Sequence, residues 1–180
     1  MNTHASFQPS DTESVVAVLR NAFTASEGAD EGKAIAGLTR DLINSTPGGD
    51  LLGYVAKGKS ENIIGAIFFS RYSVAGDESV YILSPVGVCP SAQHSGIGQN
   101  LITFGLNDLR HRGVDVALVY GDPDYYIKVG FQPLNTNTIP APFKLSQPHG
   151  WMGQALNADE ITPRSGEARC VDALHKPHFW

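Results

Sequence analysis

Apolar residues recur every three or four positions near the start of the chain, which is the spacing of amphipathic helices. The first helix is predicted to have Ser10 or Thr12 as its N-cap. Its apolar face consists of Val15, Val18, Leu19 and Ala22. A second helix is predicted over Lys33 to Ile43, and the polar stretch Ala25 to Gly32 is predicted to be a loop. Phe7-Gln8-Pro9 is predicted to be a short first strand.

Apolar runs without helical spacing follow, and they predict strands. Leu51 to Ala56 and Ile63 to Tyr72 are interpreted as antiparallel strands joined near Gly58 to Asn62. A third strand, Val80 to Val88, leads through a glycine-bearing turn into a helix that starts at Ile97. The predicted apolar face of that helix consists of Leu101, Phe104, Gly105 and Leu109.

The helix from Ile97 has a clear end. The basic residues at 110–112 complement the negative end of the helix dipole, and Gly113 supplies a left-handed cap. Val114 to Tyr120 is nearly all apolar, which is typical of a central strand covered on both faces. The order strand, helix, strand predicts a right-handed βαβ unit with parallel strands.

The remainder of the chain contains several prolines and few regular patterns. A short helix is predicted over Asp124 to Val129, followed by a strand from Phe131. A long irregular or hairpin segment is then expected, with a last strand near Ala168 to Leu174. The 180 residues are expected to form a single domain, with a core over about residues 5–135 and a segment, 136–180, that completes the sheet.

Composition and charge exclude several classes of partner. The net charge of −5 and the lack of a Lys/Arg run argue against a nucleic-acid partner. The longest fully apolar stretches, such as Ala66 to Phe69, fall far short of the roughly 20 residues that span a bilayer. Because no apolar signal core occurs near the N-terminus, a cytoplasmic protein without a membrane partner is expected. Cys89 and Cys170 are too few for a disulfide framework, and no Cys or His spacing matches a metal site.

The segment Val88 to Gly98, Val-Cys-Pro-Ser-Ala-Gln-His-Ser-Gly-Ile-Gly, joins the third strand to the helix. Backbone N–H groups in the first turn of a helix have no intrahelical partner, and the helix dipole places partial positive charge there. Gly96 and Gly98 lack the side chains that would keep a phosphate away, so the segment predicts a site for a phosphorylated ligand. A dinucleotide fold would need a third glycine where Leu101 stands, and a P-loop would need Lys-Ser/Thr after Gly98.

Two patterns in the chain agree with those of one protein family. The first is Gln93-x-x-Gly96-x-Gly98 after an apolar strand, and the second is Gly121 to Phe131, Gly-Asp-Pro-Asp-Tyr-Tyr-Ile-Lys-Val-Gly-Phe. The first resembles the acyl-CoA pyrophosphate loop of the GNAT superfamily of N-acetyltransferases. The second resembles that family's Tyr-x-x-x-Gly-Phe motif, and its beginning is similar to the YhbS-like branch. The resemblance is strongest over 80–133, and it extends more weakly over most of the chain.

The resemblance implies an α/β fold of the α+β type, a mixed, mostly antiparallel twisted sheet flanked by helices. Two central parallel strands would splay apart to form a cleft for acetyl-CoA, here between Ser84–Val88 and Val119–Gly121. The backbone groups of Val86 and Val88 would pair with the pantetheine arm. The pyrophosphate would be bound by Gln93, His94, Ser95, Gly96, Ile97, Gly98 and Gln99. Many relatives carry glycine and a basic residue where this chain has His94 and Ser95, so a fixed cation is missing unless His94 is protonated.

The resemblance also assigns catalytic roles. Tyr126 would contact acetyl-CoA and act as the general acid that protonates the departing thiolate, a reaction within the reach of a positioned phenol. Tyr125 is the alternative, because adjacent helical side chains point about 100° apart and only one can face the sulfur. Glu78 is the predicted base that removes a proton from the amine, whereas Asp122 is expected to cap the short helix.

The implied function is direct transfer of an acetyl group from acetyl-CoA to a primary amine of a small molecule or peptide. Two alternatives stay open. A non-catalytic acyl-CoA-binding sensor would keep the glycine loop and make Tyr126 dispensable. A nucleotide-binding domain with unrelated chemistry would bind ATP in preference to CoA. No motif identifies the acceptor amine, and a homodimer stays open.

Overall fold

The computed structural model describes residues 2–180, apart from the side chain of Glu78. The strands of this part of the chain are β1 Thr3–Ser6, β2 Leu51–Lys57, β3 Ile63–Val74, β4 Asp77–Val88, β5 Val116–Tyr120, β6 Gln132–Pro133, β7 Trp151–Ala155 and β8 Ala168–Cys170. The α-helices are α1 Thr12–Glu27, α2 Ala29–Ser45, α3 Ile97–His111 and α4 Pro123–Tyr126. The strands form one sheet in the order β1-β2-β3-β4-β5-β7-β6, with β8 paired to β3.

Strand direction in this sheet is mixed. The pairs β1–β2, β3–β8, β5–β7 and β6–β7 are antiparallel, whereas β4 and β5, which α3 connects, are parallel. The predicted mixed, mostly antiparallel sheet with helices is therefore confirmed, as is the parallel βαβ unit. The chain is grouped into two compact units, Met1–Phe68 with Pro85–Gly105, and Phe69–Ser84 with Leu106–Trp180.

In the first unit, α1 and α2 form a tight helical pair. Only Gly28 separates them, with φ at 102°, a backbone conformation that favours glycine. A Cβ at Gly32 would clash with the Thr24 Oγ1, so the glycine allows the two helices to approach closely. The buried apolar side chains of this unit include Val15, Leu19, Leu38, Leu42, Val55 and Phe68.

The predicted loop over Ala25 to Gly32 is wrong. α1 continues to Glu27 and α2 begins at Ala29, before the predicted start at Lys33. The polar residues of this stretch lie on exposed helical surface, and two acidic residues, at 30–31, complement the positive N-terminal end of α2. Polarity here reflects exposure within helices and does not indicate irregular structure.

The first elements also differ from the prediction. Strand β1 covers Thr3–Ser6 and ends before the predicted Phe7-Gln8-Pro9, because a 3-10 turn begins at Pro9. The Gln8 backbone N–H donates to the Asp11 Oδ2 over 2.9 Å, which fixes that turn. The N-cap of α1 is consequently Asp11, and not Ser10 or Thr12.

The apolar face of α3 differs from the predicted one, because it also includes Ile102 and Leu106. Buried positions are Leu101, Ile102, Gly105, Leu106 and Leu109. Phe104 is 37% exposed, and its ring packs edge-on against Tyr54 at 5.7 Å and tilted against His4 at 5.6 Å. The predicted cap at the other end of α3 is confirmed, since Gly113 has φ at 76° and donates to the Arg110 carbonyl over 3.0 Å.

In the second unit, β4 and β5 pair from Val80–Val116 to Leu83–Val119, and β5 also pairs with β7. Aromatic rings pack at the end of β5. The Tyr120 ring stacks on Trp180 with centroids 6.1 Å apart, and Trp180 contacts Trp151 at 6.0 Å. Both indole N–H groups donate to backbone carbonyls over 3.0 Å, so these buried polar atoms are satisfied.

The C-terminal third contains more regular structure than expected. Strand β7, Trp151–Ala155, lies within the segment that was predicted to be irregular or a hairpin, and it extends the sheet beside β5. Strand β6 is only two residues long, and β8 ends at Cys170. The predicted last strand does not reach Leu174, because the His175 backbone N–H donates to the Val171 carbonyl and turns the chain.

One ion pair connects the start of β4 to the C-terminal segment. Arg164 Nε donates to Asp77 Oδ2 over 2.6 Å, and Asp77 Oδ1 accepts from the Ser79 backbone N–H and hydroxyl at 3.0 and 2.7 Å. The bond from the Ser79 backbone N–H and the Arg164 guanidinium lower the pKa of Asp77 from 3.8 to about 2. A lowered carboxyl pKa stabilises the fold above about pH 4, and that contribution is lost as the pH falls toward 2.

We therefore expect Asp77→Asn to lower the urea midpoint of unfolding near pH 6 and to lose this effect as the pH approaches 2. Urea titrations of both proteins across that range measure the difference. Asp115→Asn is the control, because the Asp115 carboxylate lies 3.7 Å from Arg164 and is more exposed than Asp77. An Asp77→Asn midpoint difference that stays constant down to pH 2 would contradict the expected role of the carboxylate.

Candidate functional site

The predicted anion loop lies in the first unit, between the end of β4 and the start of α3. A 3-10 turn, Pro90–Ala92, follows the strand. The Gln93 Nε2 then donates to the Val88 carbonyl over 3.0 Å, and the Ser95 hydroxyl donates to the Ala92 carbonyl over 2.6 Å. These two bonds fold the loop back on itself, so its shape is set by its own side chains.

The loop leaves backbone donors open at the start of α3. His94 and Gly96 have φ at 59° and 77°, so left-handed residues alternate with ordinary ones. Such alternation forms a concave group of N–H donors that binds anions. The first helical bond of α3 runs from the Asn100 N–H to the Gly96 carbonyl over 3.0 Å. The N–H groups at 97–99 precede it in the chain and therefore have no carbonyl partner within the helix.

There is space beside Gly96, in the turn that precedes these donors. A Cβ at Gly96 would meet only the Asn100 Nδ2, at 3.9 Å. Residues 93–96 are exposed, whereas Ile97 and Gly98 are buried. The arrangement is therefore an open, preformed donor site at the positive end of a 15-residue helix, which fits a phosphate or pyrophosphate group.

The backbone of β4 next to this loop is bonded to β3 on one side. The Cys89 N–H donates to the Ile64 carbonyl of β3 over 2.8 Å, and backbone direction alternates along a strand. Val86 and Val88 therefore face away from β3. The Val88 carbonyl already accepts from Gln93, so the predicted pairing of these two residues with pantetheine stays a prediction. A Cβ at Gly87 would lie 2.8 Å from the Leu19 Cδ2, which shows how closely α1 covers this strand.

The second predicted motif lies in the second unit, where α4 positions Tyr126. Asp122 caps this one-turn helix through its Oδ1, which accepts the Asp124 N–H over 3.0 Å, and Pro123 is the first helical residue. The expected capping role of Asp122 is confirmed. A 3-10 turn over Ile127–Val129 follows, and Gly130 ends it with φ at 95°.

The Tyr126 ring is enclosed by other groups of the motif. Tyr125 packs edge-on against it at 5.1 Å, and Phe131 does so at 5.9 Å. Burial raises the pKa of Tyr126 above its usual value of 10, and the nearby Tyr125 and Asp122 act in the same direction. Burial also raises the pKa of Tyr125. Among the described residues, the Tyr126 hydroxyl makes no hydrogen bond, so a neutral phenol is available to a ligand atom.

The predicted base, Glu78, is the second residue of β4, and its side chain lies outside the described residues. Its catalytic role stays a prediction. Its neighbour Asp77 is bound to Arg164, so that carboxylate already has a structural partner.

One contact of Gly121 has no signal in the sequence. The Gly121 N–H donates to the Gly150 carbonyl over 3.0 Å, although 29 positions separate the two residues. Gly150 precedes β7, a strand that the apolar pattern does not predict. Only pairing of β5 with β7 brings the two glycines together.

Neither a metal site nor a membrane-spanning helix occurs among the described residues. Among the described side chains, which do not include that of Glu78, no group of three or more His, Cys, Asp or Glu is placed to hold a metal ion. The helices of the described part of the chain are too short or too polar to cross a bilayer. Cys170 Sγ lies 3.7 Å from His175 Nδ1, and burial raises the pKa of this thiol to about 12, so it is protonated near neutral pH.

Sequence comparison finds N-acetyltransferases, although no protein-family model matches the chain. YjhQ of Escherichia coli strain K12, an uncharacterized N-acetyltransferase, is 35% identical over 115 residues, which are 61% of this chain and 63% of YjhQ. YhbS of the same strain, also an uncharacterized N-acetyltransferase, is 30% identical over 125 residues, 69% of this chain and 70% of YhbS. The chain thus spans just under two thirds of YjhQ and just over two thirds of YhbS.

Structural comparison extends over nearly the whole chain. The crystal structure of YhbS in complex with CoA, a GNAT family N-acetyltransferase, has a TM-score of 0.81 and 23% identity, covering 97% of this chain and 92% of that one. A GNAT family acetyltransferase from Brucella melitensis, in complex with acetyl-CoA, has a TM-score of 0.75 and 24% identity, covering 97% and 98%. At these identities the two structures establish the fold.

Proposed function

We propose that this chain, which belongs to the GNAT family of N-acetyltransferases, moves an acetyl group from acetyl-CoA to a primary amine of a small molecule or peptide. The proposed transfer is direct, without a covalent enzyme intermediate. The observation that favours transfer over binding alone is the Tyr126 phenol, which is neutral and free to donate among the described residues.

Acetyl-CoA is the proposed co-substrate because the loop before α3 fits a pyrophosphate. The open N–H groups at 97–99 and the left-handed residues His94 and Gly96 supply backbone donors, and the segment 93–99 contains no Lys or Arg. Gln93 and Ser95 are proposed to hold the loop in shape through their bonds to backbone carbonyls. The YhbS and Brucella melitensis structures contain CoA and acetyl-CoA, which supports this choice of ligand.

In the proposed reaction, the amine nitrogen attacks the thioester carbonyl, a C–N bond forms and the C–S bond breaks. A backbone N–H near Val86 would polarise the carbonyl oxygen. The Tyr126 hydroxyl would give its proton to the departing thiolate, and solvent would restore it. A phenol held within hydrogen-bond reach of the sulfur can transfer its proton as the C–S bond breaks, although the thiol formed is the stronger acid, because solvent then reprotonates the tyrosinate.

The amine must lose a proton as well. An alkylamine with a pKa of about 10.4 is neutral in only about one part per thousand near neutral pH, which costs about 4 kcal/mol. Glu78 is the proposed base for this step. If Glu78 is this base, Glu78→Gln should lower turnover most at neutral pH and least at alkaline pH, where the amine is already neutral. A uniform effect across pH would remove Glu78 from this role.

Binding and turnover assays separate this proposal from its alternatives. Calorimetry with acetyl-CoA, CoA and ATP is expected to show micromolar binding of acetyl-CoA and CoA. Release of CoA thiol is then measured with a panel of amines, polyamines, amino acids and peptides. Tighter binding of ATP would support a nucleotide-binding domain. Binding of acetyl-CoA without thiol release from any amine would support a sensor.

The loop segment 93–99 contains no Lys or Arg, so adding a positive charge there allows a further test. Ser95 is exposed, so Ser95→Lys should place a charge beside the proposed pyrophosphate. We expect Ser95→Lys to bind acetyl-CoA about two- to fivefold more tightly than Ser95→Gln at low salt, the range of an exposed ion pair, and this difference to shrink as salt increases. Ser95→Gln is the matched neutral control, because it also removes the hydrogen bond to Ala92. Equal affinities of the Lys and Gln variants would place the pyrophosphate elsewhere.

A further inference from the structure

We propose that Gly121 is a positioning residue for the Tyr126 hydroxyl, because the Tyr126 ring occupies the space that a side chain at 121 would need. This inference rests on the proposed role of Tyr126 as general acid. A Cβ at Gly121 would lie 2.7 Å from the Tyr126 Cε2, closer than real Cβ contacts come. The same Cβ would lie 3.5 Å from Cδ2 and 3.6 Å from Cζ.

The contact involves the hydroxyl-bearing end of the Tyr126 ring. Cζ carries the hydroxyl, and Cε2 is bonded to Cζ. The ring edge that ends at the hydroxyl therefore lies directly on the Gly121 backbone. A methyl group at 121 would displace this end of the ring first.

The ring has little freedom to move aside. Tyr125 packs against it at 5.1 Å and an interplanar angle of 90°, and Phe131 packs at 5.9 Å and 74°. Phe131 is fully buried, so it cannot swing into solvent without exposing apolar surface. The three contacts together fix the ring in one orientation.

The Gly121 backbone is also held in place. Its N–H donates to the Gly150 carbonyl over 3.0 Å, and a Cβ at Gly150 would lie 2.7 Å from the Gly121 carbonyl oxygen. Tyr120, the preceding residue, pairs with Trp151 in the β5–β7 ladder. The backbone therefore cannot retreat from an added methyl group.

Position 121 requires a glycine because there is no room for a Cβ beside the Tyr126 ring, and not because of its backbone conformation. Gly121 is absent from the positive-φ residues of the described chain, so an alanine could adopt its backbone conformation. An alanine would instead press on the ring. Displacing a catalytic group by about 1 Å can cost about 100-fold in rate.

The test is a double-mutant cycle with an amine that supports turnover. We expect Gly121→Ala to lower kcat about 10- to 100-fold with little change in the KM for acetyl-CoA. In the Tyr126→Phe background, the same substitution should change kcat less than about twofold, since no hydroxyl remains to be misplaced. Gly48→Ala is the matched control, because no atom lies within 4 Å of its added Cβ. Equal losses in both backgrounds, or an unchanged kcat in Gly121→Ala, would overturn the proposal.

A second measurement separates this proposal from the proposed function. In ¹³C–¹H correlation spectra of ring-labelled tyrosine, Tyr126→Phe identifies the Tyr126 signal. Gly121→Ala should shift that signal more than the signals of Tyr72 and Tyr81, and Gly48→Ala should not. The spectrum needs no acceptor, so it decides the positioning role even if no amine is acetylated. An unmoved Tyr126 signal in folded Gly121→Ala would overturn the proposal. If Gly121→Ala does not fold, Gly150→Ala takes its place, since its Cβ would press on the Gly121 carbonyl.

Discussion

Replacing Tyr126 with phenylalanine is expected to lower turnover by roughly 10²–10⁴-fold, the contribution of a positioned general acid. The substitution removes only the hydroxyl. The ring keeps its contacts with Tyr125, Phe131 and the Gly121 backbone, so acetyl-CoA binding should stay close to that of the unaltered protein. The measurements are kcat from CoA release and acetyl-CoA affinity from calorimetry, with an amine that supports turnover.

Tyr125→Phe is the matched control. It removes an equivalent hydroxyl from the adjacent residue of the same helix, and burial raises the pKa of that phenol too. The two rings pack edge-on with centroids 5.1 Å apart, and adjacent helical side chains point about 100° apart, so we expect only one of the two hydroxyls to face the sulfur. A slow Tyr125→Phe protein beside a normal Tyr126→Phe protein would reverse the two roles. Normal turnover in both would remove general-acid catalysis by this motif.

The raised pKa of Tyr126 also predicts how the effect of Tyr126→Phe depends on pH. A raised pKa keeps the Tyr126 phenol protonated at every pH at which an ordinary tyrosine is protonated. The ratio of the two kcat values should therefore stay constant from neutral pH to about pH 9. A ratio that falls toward one below pH 9 would mean that the phenol ionises earlier than its burial implies.

Local signals predicted the parts of the site that short stretches of sequence build. The loop before α3 depends on Gln93, Ser95 and Gly96, all within a few residues of the donors they arrange. The end of that helix depends on Gly113, and the cap of α4 depends on Asp122. In each case a turn, a cap or a helical end determines the geometry, and its chemistry is visible in the order of residues.

Contacts between distant segments were not predictable in this way. Strand β7 is short and follows a proline-bearing segment, and its place beside β5 comes from pairing that no local pattern encodes. The contact of Gly121 with Gly150 depends on that pairing. The helical pair α1 and α2 also differed from the prediction, because the close approach at Gly32 is a packing property, whereas the local polarity indicated a loop.

The same distinction explains why the acceptor amine is less defined than the acetyl donor. A pyrophosphate needs backbone donors at a helical N-terminus, which one glycine loop can provide. An acceptor site would be built from side chains of separate segments, and the C-terminal third shows how such segments meet. Tyr120, for example, accepts a hydrogen bond from the Gln147 N–H over 2.7 Å and stacks on Trp180.

Gly96→Val is expected to weaken acetyl-CoA binding by more than about 100-fold, the equivalent of two charge-assisted hydrogen bonds at about 1.5 kcal/mol each. Two effects combine at this position. A valine side chain would fill the open space beside Gly96, where an added Cβ now meets only Asn100 at 3.9 Å, and we expect it to keep a phosphate from the adjacent N–H groups at 97–99. A φ of 77° is also strained for a β-branched residue, so the loop would change shape.

A control at the other end of α3 separates the backbone strain of Gly96→Val from its obstruction of the phosphate site. Gly113 has φ at 76° and no atom within 4 Å of an added Cβ, so Gly113→Val carries nearly the same backbone penalty. We expect both variants to lose similar thermal stability, by an amount typical of one left-handed residue, about 1–2 kcal/mol. Only Gly96→Val should lose acetyl-CoA, measured by calorimetry on protein whose fold is verified by circular dichroism. If folded Gly96→Val binds acetyl-CoA as tightly as Gly113→Val does, the phosphate does not lie on this loop, since a valine at its most open position would have to obstruct it.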